Sequence, residues 1–209
     1  MPTTITIAYF GEGSTDQRFL FPIIQRTFQN LVVDAAFEIR VSEPIYFGKS
    51  TKDIASQAES VEGFSVVCIH VDGDVNSYEE AYDYKYAPKA QQLDTNDTTI
   101  IPVIPIRTIE AWMLVDEATL LKKLQTTKMP FPLKSDVEKI GRPKEDLNKI
   151  IRAVQRTMPK KRQKVINIEN LYTPLGNELP LDKLQRLSSY QKFQDAARQA
   201  LIKANLLQS

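Results

Sequence analysis

Residues 64–71 read FSVVCIHV and run straight into DGDVN. A continuously apolar, β-branched stretch of this length has no polar face to offer water. It has to be buried on both sides, as a central strand of a parallel sheet is. That requirement constrains the rest of the chain, because parallel neighbours need crossover connections and helices on both faces. Other segments fit. ITIAYF reads as a strand, followed by an amphipathic helical stretch, TDQRFLFPIIQRTFQN, with Ser14 as cap, Gln17 completing a capping box and Pro22 placed to kink it. FEIRVSEPI alternates like a strand, and KSTKDIASQAES reads as a short helix. SYEEAYDYKYAPKAQQL reads as helical up to the residue before Pro88 and again after it. TTIIPVIPI is a fourth strand whose prolines place it at an edge or give it an irregular end. TIEAWMLVDEATLLKKL reads as one amphipathic helix capped by Thr108.

The second part of the chain reads differently. SDVEKIGRPKEDLNKIIRAVQRTM opens on a capping box, Ser135 and Glu138, and is broken into two helices by Gly141 and Pro143. MPKKRQKVINIENLYTPLGNELP is loop-like, and SSYQKFQDAARQALIKANLL is a final helix. The expected fold is therefore α/β. A mainly parallel, four-stranded, Rossmann-like sheet flanked by helices occupies residues 1–125, and a basic helical extension, 126–209, packs on it.

Charge divides at the same place. Residues 1–125 carry 18 acids and 10 bases, and residues 126–209 carry 8 acids and 17 bases, beneath a net charge of only +1. Such a split suits an acidic metal site beside a surface that meets polyanions. The single cysteine, Cys68, excludes an internal disulfide and a thiolate zinc site, and within FSVVCIHV it reads as a small core hydrophobe. With no apolar run of about 18 residues and no basic, cleavable leader, the cytoplasm is the expected compartment and no membrane is expected.

The carboxylates concentrate where strands end. Glu12 follows the first strand, Asp72 and Asp74 the third, and Glu110 the fourth; Asp16 lies one turn into the first helix. In a parallel sheet these ends share one edge, where α/β proteins bind ligands. Each like-charge pair at about 4 Å costs about 4 kcal/mol at an effective dielectric near 20. A divalent cation removes that cost, and oxygen-only ligands favour Mg²⁺ or Mn²⁺ over Zn²⁺. Asp72 and Asp74 point the same way if the strand persists, with Gly73 and Gly13 easing the turns. Singly, each acid also has an ordinary reading: DGDVN is a turn sequence, and Asp16 and Glu110 suit a first helical turn. His70, two residues before Asp72, is placed to relay a proton or orient Asp72, or to be a bonded core histidine. Trp112 reads as core.

EGSTD after the first strand, with DGD after a later one, resembles the TOPRIM domain, the Mg²⁺-binding fold of primases, topoisomerases and OLD-family nucleases. IPIRTIEAWMLVD and the tail LQRLSSYQKFQDAARQAL resemble a set of uncharacterised bacterial TOPRIM-like proteins allied to the OLD nucleases. The resemblance implies Glu12 as acid/base or metal-linked glutamate, Asp72 and Asp74 as metal ligands, and Asp16 and Glu110 completing a one- or two-metal site. It departs from full-length OLD proteins in lacking an ATPase module, and from topoisomerases in lacking an evident tyrosine nucleophile.

For a polyanion, Arg107 is one candidate contact. Lys149, Arg152 and Arg156 share a helix face, and Lys160, Lys161, Arg162 and Lys164 follow in PKKRQK. The leading expectation is a Mg²⁺- or Mn²⁺-dependent nuclease acting on DNA or RNA, working with a partner ATPase in phage defence. Two others stand beside it: a phosphohydrolase of small phosphorylated substrates, and a non-catalytic nucleic-acid- or metal-binding module. A homo-oligomer is compatible with all three.

Overall fold

The computed structural model describes residues 3–49, 52, 57, 59–61, 63–75, 77–93, 99–163 and 166–208. The ITIAYF strand is realised as β1 (Thr3–Ile5) and β2 (Ile7–Phe10), followed by α1 (Ser14–Leu31) with Pro22 inside it. Next come β3 (Ile39–Val41), β4 (Ile45–Gly48) and β5 (Val66–His70). Helix α2 (Tyr78–Ala81) passes through a π-helical turn, Tyr82–Tyr86, into α3 (Ala87–Ala90), and β6 is Thr99–Val103. The remainder is helical: α4 (Ile109–Met113), α5 (Glu117–Lys123), α6 (Pro143–Thr157), α7 (Lys160–Gln163), α8 (Tyr172–Glu178), α9 (Leu181–Leu184) and α10 (Ser188–Lys203).

Four strands form one sheet in the order β4-β2-β5-β6, and every pairing is parallel. β1 and β3 make a separate parallel pair. The proline-containing β6 lies at the edge, where a missing N–H costs least. β2 and β5 deal alternate residues to two cores. Ile7, Tyr9, Val66 and Cys68 enter one; Ala8, Phe10, Val67 and Ile69 enter the other. The first core runs without a break through Phe19 of α1, Ile150 of α6, Leu175 of α8 and Phe193 of α10. The acidic and the basic parts of the chain therefore share one interior. Cys68 and Trp112 are both fully buried there, and Trp112 Nε1 donates to Ser189 Oγ at 2.8 Å.

Several local expectations are corrected. Residues 37–45 do not form one strand; β3 and β4 are separated around Pro44, which has no N–H to give. The helix expected from Thr108 is two helices, because Asp116 stops the first path and caps α5, accepting from Thr119 N at 3.0 Å. Gly13, not Ser14, is the N-cap of α1, and no side chain bonds there. The stretch after Met158 contains α7 and α8 rather than loop alone. Ser135 and Glu138 form no capping box: Asp136 caps the turn at Val137–Lys139. Glu138 instead accepts from the backbone N–H of Ser188 at 2.8 Å and of Ser189 at 3.0 Å, and from both serine hydroxyls, so it caps α10 from 50 residues away. The short helix expected over residues 49–60 lies largely outside the described residues. No helix among the described residues is long and apolar enough to cross a membrane.

Candidate metal centre

The site forms where β5 and β6 end. Their ladder continues beyond the strands: Val71 N donates to Val103 O at 3.2 Å, Gly73 N to Pro105 O at 3.0 Å, and Asp74 N to Arg107 O at 2.9 Å. A Cβ on Gly73 would lie 2.8 Å from Pro105 O, so glycine is what lets the two loops close. The turn after β2 has a similar requirement two positions earlier than expected. A Cβ on Gly11 would lie 2.3 Å from Tyr9 Oη, whereas Gly13 is extended and faces open space.

His70 occupies the centre and is fully buried. Its Nδ1 lies 3.0 Å from Val103 O, which only accepts, so in the neutral ring Nε2 is left with its lone pair. Asp16 Oδ2 is 3.7 Å from that nitrogen and Asp72 Oδ1 is 3.6 Å from it. Neither His70 Nε2 nor Asp72 Oδ1 has a hydrogen-bond partner among the described residues, and the buried hydroxyls of Tyr9 and Thr108 have none either. The Tyr9 ring stacks beside His70, with centroids 6.4 Å apart. Burial, with Lys89 adding to it, pushes the His70 pKa down to about 4.

The acids feel one another. Burial, then Asp16, Glu110, Glu12 and Asp74, pushes Asp72 up to about 8; burial, then Glu12 and Glu110, pushes Asp16 up to about 6. Glu110, buried at the start of α4, accepts from Tyr172 Oη at 2.7 Å, and Lys144 Nζ stands 3.7 Å from the same oxygen. Glu12 is exposed at the rim and acts on Asp16, Asp72 and Lys89 through its charge.

Asp74 is held apart. It takes a left-handed conformation, φ 53°, and Lys85 Nζ bonds its Oδ2 at 2.7 Å and Asp72 O at 2.9 Å. The strand ends at His70, so the i, i+2 geometry does not carry Asp74 beside Asp72. Among the described residues, no three Asp, Glu, His or Cys side chains form a ready-made ligand set as they stand.

The basic candidates lie on α6 and beyond. Lys149 pairs with Asp146 at 2.7 Å, while Arg152, Arg156, Lys160 and Lys161 are exposed; the Arg162 side chain and Lys164 lie outside the described residues. Four neighbours of the acids were not legible as such in the sequence. Tyr172 is 62 residues from Glu110, and Lys85, Lys89 and Lys144 sit in unremarkable polar helices. The i, i+4 spacing of Lys85 and Lys89 was the only available signal.

The pKa shifts have a consequence for stability. Between pH 4 and 6.5 the depressed His70 gains stability as pH rises while the raised Asp16 and Asp72 lose it, so the contributions oppose. From pH 6.5 to 8 Asp72 acts alone. The folded protein holds a proton that the unfolded chain has released, so metal-free stability falls with rising pH, by at most about 1.4 kcal/mol per pH unit. Denaturant midpoints measured in EDTA across that range should show the decline in the parent protein, and a flat line there would remove the carboxylate crowding from the site.

The family model described as Domain of unknown function (DUF4276) matches residues 11–201. No curated protein and no solved structure matches the chain.

Proposed function

The chain belongs to the DUF4276 family, and we propose that it is a divalent-metal-dependent nuclease of the TOPRIM kind, hydrolysing phosphodiester bonds of DNA or RNA. The observation that supports this most is the unpartnered pair at the sheet edge, His70 Nε2 and Asp72 Oδ1, with Asp16 beside them. Buried polar atoms without partners are costly, and a cluster of acids in mutual repulsion is costlier still. Both costs disappear together if a cation sits there. The donor chemistry fits a hard ion: Asp16 and Asp72 would hold it, and Glu12 or Glu110 would complete the set. When bound, Mg²⁺ or Mn²⁺ supplies Lewis-acid polarisation of a phosphate oxygen and acidifies water.

The chain's own residues do the rest. His70, its Nδ1 bonded to Val103 O, would turn the lone pair of Nε2 toward the ion between the Asp16 and Asp72 carboxylates. Tyr172 fixes Glu110. Glu12, exposed beside the acids, is the group placed to accept or return a proton at the solvent side. Lys89 and Lys144 bring positive charge to the rim for a phosphate. The diversion of Asp74 to Lys85 favours a second reading, a binding module serving a partner ATPase, in which the same acids hold metal without turnover.

The test is incubation of purified protein with supercoiled plasmid, single-stranded DNA and RNA, with Mg²⁺, Mn²⁺ or EDTA, beside a thermal melt with Mn²⁺. Metal-dependent cleavage that is lost in Asp16→Ala is expected. A Mn²⁺-dependent rise in Tm without cleavage of any substrate would favour the binding module, and neither effect would overturn both readings.

A further inference from the structure

Beside the acid centre, between the loop after β6 and the start of α6, lies a groove of about 450 Å³ lined by Asp74, Arg107, Thr108, Arg142, Lys144 and Asn148 among others. Its size falls within the range of small-ligand clefts, about 300–1,000 Å³. Two features set it apart from an incidental crevice. Asp74 and Arg107, both on its wall, are non-glycine residues held at positive φ, 53° and 76°, and they are bonded to each other through Asp74 N and Arg107 O at 2.9 Å. Asp tolerates this region, but an arginine is held in it only by its surroundings, as residues at ligand sites commonly are. The groove also gathers positive charge from two separate elements. Arg107 comes from the loop, and Arg142 and Lys144 come from the start of α6.

The anions that Arg142 and Lys144 now meet are replaceable. Arg142 pairs with Glu145 at 3.2 Å across an exposed contact, and Lys144 reaches Glu110 only at 3.7 Å with most of its side chain in solvent. An exposed pair such as Arg142–Glu145 is weak, and Lys144 approaches the buried Glu110 only loosely, so both cations can turn to a phosphate. Asn148 Nδ2 donates to Lys144 O at 2.9 Å, which leaves Asn148 Oδ1 for a donor on a ligand. Lys144 also links the groove to the acid centre through Glu110.

We propose that this groove seats one nucleotide unit of the substrate strand next to the acid centre. Lys144 and Arg142 bind its phosphate, and Asn148 Oδ1 accepts from its sugar or base. For the class of polymer the inference rests on the nuclease reading, but the groove is tested without metal or turnover.

In EDTA, a nucleoside 5′-monophosphate and the matching nucleoside are titrated into the full chain by calorimetry, with backbone amide NMR shifts to locate binding. The monophosphate is expected to bind at least about tenfold more tightly than the nucleoside, with the largest shifts around residues 105–108 and 141–148. Lys144→Ala and Arg142→Ala are each expected to weaken it about tenfold or more, the loss of one charge-assisted hydrogen bond, with Tm unchanged in Arg142→Ala, whose side chain and partner Glu145 are both exposed. Equal affinity for nucleoside and monophosphate, shifts elsewhere, or indifference to both substitutions would overturn the groove assignment. Absence of metal-dependent cleavage with this binding intact would overturn the nuclease reading alone.

Discussion

Asp72→Asn is expected to remove metal-dependent cleavage by about a thousandfold or more while making the metal-free protein more stable. The substitution keeps the side chain's shape and removes the carboxyl that the fold holds in its neutral form at the most crowded position in the site. Asp72 lies 3.6 Å from His70 Nε2, with Asp16 3.7 Å from the same atom, and Glu110, Glu12 and Asp74 all act on it. The unfolded chain ionises this carboxyl from about pH 4 upward while the fold keeps it protonated to about pH 8, so an uncharged amide removes a cost that grows by up to about 1.4 kcal/mol per pH unit between those values, and part of it shows in a melt. For a protein of this size each kcal/mol gained raises Tm by about 2–4 °C. Loss of a ligand carboxylate acts oppositely on function. A weakened or displaced cation forfeits several kcal/mol of transition-state stabilisation, and each 1.36 kcal/mol is a factor of ten in rate. The two readouts are a thermal melt in EDTA and a plasmid assay in Mn²⁺. A variant that is less stable than the parent in EDTA, or that cleaves as well, would show that Asp72 is a structural residue and not part of a charged centre. A change in one direction for stability and the other for activity is the pattern of a site built at the expense of the fold.

Gly176→Ala is expected to lower Tm by about 3–10 °C. Gly176 lies in α8 against α1, and a Cβ there would stand 2.5 Å from Phe19 O and 3.1 Å from Phe19 Cα. The obstacle is backbone, so no rotamer change relieves it and the helices have to separate. Overpacking of this type costs about 1–3 kcal/mol. Separation also breaks the clamp by which Arg26 donates to Gly176 O at 2.9 Å and to Leu179 O at 2.8 Å. Tyr172, at the start of the same helix, carries the hydroxyl that holds Glu110, so metal affinity should weaken together with stability. Gly13→Ala is the control: that glycine is extended, φ −157°, with nothing within 4 Å, and its replacement should move Tm by no more than about 1–2 °C. Similar melts for the two variants would contradict the close approach of α8 to α1.

Much of the architecture was legible because it follows from short-range pattern. A continuously apolar FSVVCIHV had to be covered on both faces, and β5 is one of the two inner strands, with Val66 and Cys68 in one core and Val67 and Ile69 in the other. The prolines of TTIIPVIPI put β6 at the edge. What misled was also local. TIEAWMLVDEATLLKKL has helical spacing throughout, yet a side-chain cap at Asp116 outweighs periodicity and divides it. SDVE reads as a capping box, but Glu138 finds four better donors at the start of α10.

The candidate site divides along the same line. Sequence alone determined that acids follow successive strands, that parallel strands present those ends at one edge, and that a charge-rich basic segment comes after them. Only the tertiary structure decided which acids meet. It set Asp16 and Asp72 on either side of His70, turned Asp74 away to Lys85, and brought Tyr172 and Lys144 to Glu110. The reason is one of range. Strand and helix propensities are settled among residues a few positions apart, whereas the partner of a buried charge is whichever distant group the packed core leaves within a few ångströms.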